Sequence, residues 1–309
     1  MDLSVRLGSL LLKSPIMLAG GITSNRMRIE ALSRGIGAIV LGTYSFLPVE
    51  RRSPPLIADI GVGYLNSYGI RNTINQSKDF IRGVIRLARD NDVKVFISIM
   101  DRKTDDIVQA AKQAYSMECD AIELNLSAVA VPEFLSAGLK LGEQMIESVR
   151  KAVKVPVSVK LSPITNFNSK TACSADIVHV GNAISPAISI NIDDLKPRLG
   201  SITGALSGPA IKPLSMARVF ELYETMQSIP IIGTGGIYGW EDIIEYISAG
   251  ASATGIHTVL YRNGTEIINK MIEGISIFLS DRGFTLSELQ GAAHRMVKKH
   301  QIYGNHDQR

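Results

Sequence analysis

Eight short apolar runs alternate with longer segments of helical periodicity, and this alternation constrains the fold more than any other feature of the chain. No run exceeds eight residues and most are rich in Ile or Val, which is typical of parallel strands buried on both faces. The runs cover residues 16–19, 36–41, 95–99, 121–126, 155–161, 187–190, 230–233 and 253–257.

The segments between these runs carry apolar residues at the spacing of a helix. Stripes of this kind occur over residues 106–117, 139–153 and 267–279, and they are more typical of core-facing helices than of cofactor motifs. A further helix is predicted to begin at Trp240, with acidic residues in its first turn, and to end at Gly250.

Eight successive strand–helix units predict an α/β fold, a single (β/α)8 TIM barrel spanning residues 1–309. An open, doubly wound sheet is the alternative, and the lack of a GxGxxG motif after the first strand weakens it. Residues 43–72 are too long for a simple connection after the second strand and predict an insertion that shapes the active site. Residues 283–309 predict a C-terminal helix and a basic tail.

The composition argues against several classes of protein. Cys119 and Cys173 are the only cysteines and form no CxxC pair, which argues against a disulfide framework, a metal site or an iron–sulfur cluster in this chain. No apolar run reaches the roughly 18 residues of a membrane helix, and we expect a cytoplasmic protein without a targeting segment. The net charge of +4 is spread out, so it favours solvated surfaces, or an acidic small molecule, over nucleic acid.

Glycines at the end of the seventh predicted strand indicate an anion site. Residues 233–236 read Gly-Thr-Gly-Gly, and the eighth strand ends in His257 and Thr258. Glycines let backbone N–H groups approach an anion closely, and barrels commonly hold a phosphate between these two loops. A tight turn without a ligand is the alternative, and we favour phosphate binding.

Lys160 lies near the end of the fifth predicted strand, within an otherwise mostly apolar run. An unpaired lysine is costly to bury, so it either turns outward or meets an electron-rich ligand at the barrel mouth. We favour the ligand, because functional residues of such barrels lie at the carboxyl ends of the strands.

Other strand ends carry small or amide residues. Asn125 follows the fourth strand and Asn191 the sixth, and either amide can donate and accept hydrogen bonds. Residues 19–21 read Ala-Gly-Gly, which would let a flat ligand lie close to the backbone. Asn66 lies in the long loop after the second strand. For all of these, ordinary turn chemistry is a competing explanation.

Taken together, these segments resemble the dihydroorotate dehydrogenase family, most closely its cytosolic class 1. The resemblance covers nearly the whole chain, and the order and spacing of the segments make it specific. Residues 207–213 are especially close to the form found in class 1 enzymes that pair with an iron–sulfur flavoprotein. The matching segments are SPIMLAGG, NSYGIRN, ELNLS, VSVKLSP, ALSGPAIKP and IIGTGGI with DIIEYISAGAS.

The resemblance implies an FMN-binding barrel in which Lys160 meets the N1–C2=O edge of the flavin and stabilises its reduced, anionic form. It implies flavin or phosphate contacts from Ala19, Gly20, Gly21, Thr43, Asn125, Lys160, Asn191, Gly208, Gly235, Gly236, His257 and Thr258. It further implies a substrate pocket lined by Asn66, Tyr68, Gly69, Asn125 and Asn191.

The family reaction oxidises dihydroorotate to orotate, with a base removing the C5 proton while a hydride leaves C6 for the flavin. The class 1 base is a cysteine after the NLS segment, but Ala128 stands at that position here and cannot accept a proton. Ser127 is the nearest side chain that could act as the base, with Lys160 as the second catalytic residue. Thr43, Tyr44 and Ser45 are weaker candidates for the base.

Further departures fall mainly on the substrate side of the family pattern. Ala130 replaces an asparagine that binds substrate, Gly42-Thr43 replaces a segment with a lysine, and Ile192 replaces a serine or threonine. His257 replaces a glycine of the last phosphate loop. The elements that bind flavin and phosphate are thus mostly kept.

Three functions therefore stay open at the level of sequence. The first is a dihydroorotate dehydrogenase with a rearranged base, and the second is an FMN oxidoreductase with another substrate. The third is a non-catalytic barrel that binds a phosphate ligand, although Lys160 and Asn125 at the barrel mouth argue against it. The resemblance implies a homodimer, alone or with an iron–sulfur and FAD electron-transfer subunit. It implies neither a membrane nor a nucleic-acid partner.

Overall fold

The computed structural model describes residues 2–21, 23–49, 52–67, 72–127, 138–164, 174–226 and 228–297. Within these ranges the strands are β1 (Val5–Leu7), β2 (Leu10–Leu12), β3 (Ile16–Leu18), β4 (Ala38–Tyr44), β5 (Ile57–Asp59), β6 (Tyr64–Asn66), β7 (Lys94–Ile99), β8 (Ala121–Asn125), β9 (Val157–Leu161), β10 (Ile177–Val180), β11 (Ile184–Ala187), β12 (Ile190–Asn191), β13 (Lys196–Pro197), β14 (Gly204–Ser207), β15 (Ile231–Thr234) and β16 (Ala253–Ile256).

The helices of the same ranges lie mostly between the barrel strands. They are α1 (Asn25–Leu32), α2 (Lys78–Asp90), α3 (Thr104–Tyr115), α4 (Gly138–Ala152), α5 (Lys212–Thr225), α6 (Trp240–Ser248), α7 (Val259–Asn263), α8 (Ile267–Arg282) and α9 (Leu286–Leu289). None of them combines the length and the apolar character needed to cross a membrane.

Eight parallel strands close into a barrel, which confirms the predicted (β/α)8 fold. Their order around the barrel is β3, β4, β7, β8, β9, β10, β15 and β16, and β16 pairs again with β3. Each strand thus lies beside the next barrel strand in the chain, as expected when helices cross over between parallel neighbours.

The prediction for the sixth barrel strand is wrong. Residues 187–190 lie outside the barrel, at the end of β11 and the start of β12, and the sixth barrel strand is β10. All four side chains of β10 are buried, including that of His179. The histidine makes this four-residue run look less apolar than a buried strand usually does. Burial of the histidine is favourable only because tertiary contacts supply its hydrogen-bond partners.

The amino-terminal end of the barrel is filled by apolar side chains. Leu7 and Leu12, from the hairpin of β1 and β2, join one buried cluster with Met17, Phe96 and other side chains of the barrel interior. The hairpin therefore packs against this end of the barrel, and burial of these side chains stabilises it.

The outer helices bury one face each against the strands. Helix α2 shows why: Ile81, Val84, Ile85 and Ala88 recur at helical spacing and are all buried, whereas its charged residues face outward. A larger apolar cluster joins these helices to the outward-facing side chains of the barrel.

A second sheet forms from two insertions at the carboxyl ends of the strands. Strands β5 and β6 come from the predicted insertion at 43–72, and they pair with β14 and β11 in the order β11-β14-β6-β5. Arg262, just after the eighth barrel strand, bonds to Asp59, the Tyr64 hydroxyl and the Gly61 carbonyl. These bonds tie the added sheet to the barrel.

At the carboxyl terminus of the chain, residues 298–309 of the predicted basic tail lie outside the described residues.

Candidate functional site

A cavity of about 630 Å³ opens at the carboxyl ends of the barrel strands, beneath the added sheet. Its lining comes from barrel strand ends, from the added sheet and from the loops after β15 and β16. The lining includes Ala19, Gly20, Tyr64, Asn66, Lys160, Asn182, Ser207, Gly208, Gly235, Gly236, His257, Thr258 and Tyr261.

Three glycines form a cradle at one end of this cavity. Gly208, Gly235 and Gly236 have φ values of 100°, 125° and 69°, which favour glycine over residues with a side chain. A Cβ on Gly235 would lie 2.6 Å from the Ser215 hydroxyl, and one on Gly236 would lie 2.6 Å from the Lys212 Cβ. The cradle therefore presents bare backbone to the cavity, as a phosphate site requires.

The helix behind the cradle is already capped. Asp242 accepts hydrogen bonds from the backbone N–H groups of Tyr238 and Gly239, at 2.6 and 2.9 Å, and pairs with Lys212. These two amides, which directly precede α6, are thus occupied by a carboxylate. An anion in the cavity has to meet the glycine loop itself rather than these amides.

Lys160 places a buried ammonium group at the cavity wall. Its side chain is only 4% exposed, and within the described residues its Nζ makes no hydrogen bond or ion pair. Burial lowers the pKa of Lys160, while the charge of Glu123 acts in the opposite direction. A buried, unpaired cation is costly unless a ligand supplies the missing partner.

Near Lys160, three side chains from separate strands form a buried chain of hydrogen bonds, and Thr234 at its end lines the cavity. His179 Nδ1 lies 2.5 Å from a Glu123 carboxylate oxygen, and His179 Nε2 lies 2.7 Å from the Thr234 hydroxyl. Burial disfavours the charged Glu123, but His179, which donates a hydrogen bond from Nδ1, and the charge of Lys160 outweigh it and hold its pKa low. Burial and then Lys160 lower the pKa of His179, so its imidazole is neutral.

A second hydrogen-bonded chain runs along the other side of the site. The Thr43 hydroxyl lies 3.0 Å from that of Ser98 and accepts from Asn125 Nδ2 at 2.9 Å. Asn182 Nδ2 donates to Asn125 Oδ1 at 3.2 Å and to the Ser127 hydroxyl at 2.9 Å. Two amides and three hydroxyls therefore hold one another in fixed orientations.

The His257 ring lies between the ends of the eighth and first barrel strands. It packs against Gly21, where a Cβ would overlap the ring, and makes an edge contact with Tyr261. Its Nε2 is buried and has no hydrogen-bond partner within the described residues. Burial, together with the charges of Lys160 and Arg28, lowers its pKa to about 3, so the ring is neutral at physiological pH.

Most of the residues predicted from sequence meet at this cavity. Ala19, Gly20, Asn66, Lys160, Gly208, Gly235, Gly236, His257 and Thr258 line it. Thr43, Asn125 and Ser127 lie behind this lining in the hydrogen-bonded chain through Asn182, and Gly21 lies behind the His257 ring. Tyr68 and Gly69, like Ala128 and Ala130, lie outside the described residues.

Asn191 is the exception, and its placement after the sixth barrel strand is wrong. It belongs to the β12–β13 hairpin outside the barrel and does not line the cavity. The sixth barrel strand instead leads to Asn182, which lines the cavity and contacts Asn125. The error follows from the wrong choice of strand, because the amide was sought after the wrong apolar run.

Sequence reasoning also missed Glu123, His179 and Tyr64. Glu123 and His179 each interrupt a short apolar run, and a polar residue within such a run signals a paired group inside a barrel. Tyr64 lies in an insertion whose strand β6 joins the cavity wall only by pairing with the distant strand β14, so no local pattern marks it.

Comparisons with known proteins identify relatives over nearly the whole chain. A family model described as dihydroorotate dehydrogenase matches residues 2–279. A protein of Methanocella arvoryzae is 34% identical over 97% of this chain and 100% of its own length. One from Thermoplasma acidophilum is 32% identical over 95% and 99%. Both are named dihydroorotate dehydrogenase B (NAD(+)), catalytic subunit.

Proposed function

Because the chain belongs to the dihydroorotate dehydrogenase family, we propose that it is an FMN-dependent oxidoreductase that converts dihydroorotate to orotate in pyrimidine biosynthesis. The observation that carries the proposal is Lys160, a buried ammonium without a protein partner in the described chain, at the wall of the cavity that opens at the carboxyl ends of the barrel strands. Such a group suits an electron-rich ring edge that becomes more negative on reduction.

The residues of the cavity fit FMN at both ends. The glycine cradle of Gly208, Gly235 and Gly236 suits a phosphate, and Ala19 and Gly20 leave room for a flat ring system. Bound FMN would supply the acceptor for the hydride, which no side chain of the protein can provide.

Amide groups fit the substrate side of the cavity. Asn66 from the added sheet and Asn182 after β10 both line it, and Asn125 fixes Asn182 from behind. Amides match the alternating donors and acceptors of a ring that carries N–H and C=O groups. The added sheet covers this side of the cavity and would exclude water from the reacting carbons.

Ser127 is our proposed proton acceptor. Its hydroxyl is buried and accepts a hydrogen bond from Asn182 Nδ2, and Asn125 Oδ1 lies 3.5 Å away. Within the described residues these two amides are its hydrogen-bond partners, so it lacks the adjacent base that usually activates a serine. Proton removal by Ser127 would therefore be slow compared with removal by a cysteine thiolate.

Ala128, Ala130 and Gly42 favour a second candidate, an FMN oxidoreductase of the same family with a different substrate. Losing hydrogen-bonding groups from a site that recognises a polar ring costs selectivity on the order of 10⁴. A substrate without those polar groups would not need them.

The relatives are named as catalytic subunits, which implies at least one further subunit in their assemblies. We propose that this chain likewise forms a cytosolic homodimer, with an electron-transfer subunit that carries an iron–sulfur cluster and FAD. Exposed apolar side chains around the β12–β13 hairpin support an assembly surface, because monomers rarely expose such a patch. They are Ile188, Ile190, Ile192, Leu195 and Ile202.

The visible spectrum of the purified protein, followed by anaerobic titration with dihydroorotate, tests the proposal. We expect flavin absorbance that bleaches as dihydroorotate is added. A yellow protein that stays oxidised would point to the second candidate substrate class. A colourless protein that does not take up FMN would contradict both candidates.

A further inference from the structure

The buried pair of Glu123 and His179 has no part in the proposed chemistry, yet both side chains are inaccessible to solvent. Glu123 is on β8 and His179 on β10, so their contact passes across β9, the strand that carries Lys160. Lys160 is the direct cross-strand neighbour of His179. The contact between Glu123 and His179 therefore passes close to the strand position that Lys160 occupies.

The hydrogen bonds orient the Glu123 carboxylate toward His179. One carboxylate oxygen bonds to Nδ1, while the other, Oε1, is buried, and the side chain of Ser98, the cross-strand neighbour of Glu123, also stabilises the carboxylate and lowers its pKa. The described residues contain no ion pair between Glu123 and Lys160, although the two charges interact electrostatically. The carboxylate is thus held near the ammonium without contacting it.

His179 is itself fixed from its other side. Its Nε2 faces the Thr234 hydroxyl at 2.7 Å, and Thr234 lies directly before the glycines of the cradle. A neutral imidazole satisfies both bonds, because it can donate from Nδ1 to the carboxylate and accept at Nε2 from the hydroxyl. The ring therefore connects Glu123 on β8 to Thr234 on β15, the strand next to β10 in the barrel.

We infer that His179 is a positioning residue, which holds the Glu123 carboxylate away from Lys160 and so keeps the ammonium free to bind the ligand of the cavity. In a dry interior, a released carboxylate would take the nearest cation as its partner. Lys160 would then be drawn into the barrel and lost to the ligand. The inference rests on the proposed function only for the identity of that ligand.

Two substitutions should move the pKa of Lys160 in opposite directions. In His179→Phe the carboxylate is released and pairs with Lys160, which raises the pKa of Lys160 by about one pH unit. In Glu123→Gln the counter-charge is gone, so the pKa falls by a similar amount. The double variant has no carboxylate to release and should show no rise. His179→Gln can still donate and accept, and should restore the wild-type value.

The measurement is an NMR titration of lysine ¹³Cε signals in the full chain without added flavin, with the Lys160 signal assigned by its loss in Lys160→Met. The other titratable group facing Lys160 from a neighbouring strand end is His257, which stays neutral across the titration because its pKa is about 3. His294→Phe, which removes another buried histidine beside Glu224 and Ala249, is the matched control and should leave Lys160 unchanged.

An unchanged or lowered Lys160 pKa in His179→Phe would overturn the inference. If that variant does not fold, ¹⁵N NMR of the wild-type histidines decides, since the inference requires a neutral His179 protonated at Nδ1. A second arm measures FMN affinity, which should weaken at least tenfold in His179→Phe and recover in His179→Gln. If wild-type protein binds no FMN, the proposed function fails, while the lysine titration still decides the inference.

Discussion

The two ends of this barrel are built from opposite kinds of side chain. At the amino-terminal end, Met17, Phe96 and Ile232 fill the interior together with Leu7 and Leu12 from the hairpin. At the carboxyl end, the barrel strands carry buried groups that are polar or charged, among them Glu123, Lys160, His179 and Thr234. One barrel thus holds a dry apolar layer below and a hydrogen-bonded layer above.

The difference between the two ends separates stability, which the lower end provides, from ligand binding, which the upper end provides. Apolar burial stabilises the lower end in proportion to the area removed from water. At the upper end, the cost of desolvating each buried charge has to be offset by a partner, and Lys160 has no such partner among the described residues. A bound ligand would supply that partner. We therefore expect the lower end to control folding and the upper end to control binding.

The largest expected effect is a gain at the upper end. Ala128→Cys restores the residue that the family uses as its base, and should speed dihydroorotate-dependent bleaching of bound flavin by about 10²–10⁴-fold. Anaerobic stopped-flow absorbance measures it. Ala130→Cys, two positions along the same segment, is the control and should give no gain. No acceleration in Ala128→Cys would mean that the pocket has diverged beyond its base.

Phe96→Ala tests the lower end. Removing a fully buried aromatic ring leaves a cavity and should reduce the free energy of unfolding by about 3–5 kcal/mol. The intrinsic affinity of the folded fraction for FMN should change little, because the ring is distant in sequence and layer from the cavity lining. Urea unfolding measures the loss, with the exposed Leu87→Ala on helix α2 as control.

Lys160→Met should affect ligand binding rather than stability, the reverse of what we expect for Phe96→Ala. Loss of the ammonium should weaken FMN binding by roughly 30- to 1,000-fold, the range for removing one partner of a buried charged contact. Stability without ligand should change little, because the variant no longer desolvates an ammonium group while Glu123 loses the favourable charge of Lys160. Fluorescence titration and urea unfolding together give the answer, and the exposed Lys154→Met should change neither quantity.

Asp101→Asn should have the smallest effect, and one that depends on pH. Asp101 follows β7 at the upper end and accepts a hydrogen bond from the Phe46 N–H at 2.7 Å. Burial raises its pKa from 3.8 to about 6, so the folded state holds this proton more tightly than the unfolded chain. Wild-type protein should therefore lose stability as the pH rises from about 4 to 6, by up to roughly 3 kcal/mol.

The Asp101→Asn variant lacks this titrating group, so only wild type should lose stability for this reason as the pH rises. Any excess of the wild-type unfolding free energy over that of the variant should therefore shrink, or change sign, over that range. Denaturant titrations at a series of pH values measure it. Asp105→Asn, exposed in the first turn of helix α3, controls for general charge effects. A difference that stays constant from pH 4 to 7 would contradict the assigned burial of Asp101.

Much of the upper end was predictable where the chemistry is local. Glycines at 235 and 236 and the lysine at 160 lie at strand ends whose position follows from the apolar runs, and the structure brings all three to one cavity. Asn182 and His179 were not predictable, because β10 contains a buried histidine. Its burial is favourable only when Glu123 and Thr234 arrive from other strands.

The sequence by itself determined the barrel and the residue types at most strand ends, because strand and helix periodicities are local properties of the chain. The tertiary structure decided which strand is sixth and which asparagine faces the cavity. It also decided that the Lys160 ammonium has no partner within the described residues while Glu123 is held by His179. Those outcomes depend on distances between residues far apart in the chain. The closure of the barrel sets these distances, and no local sequence pattern specifies them.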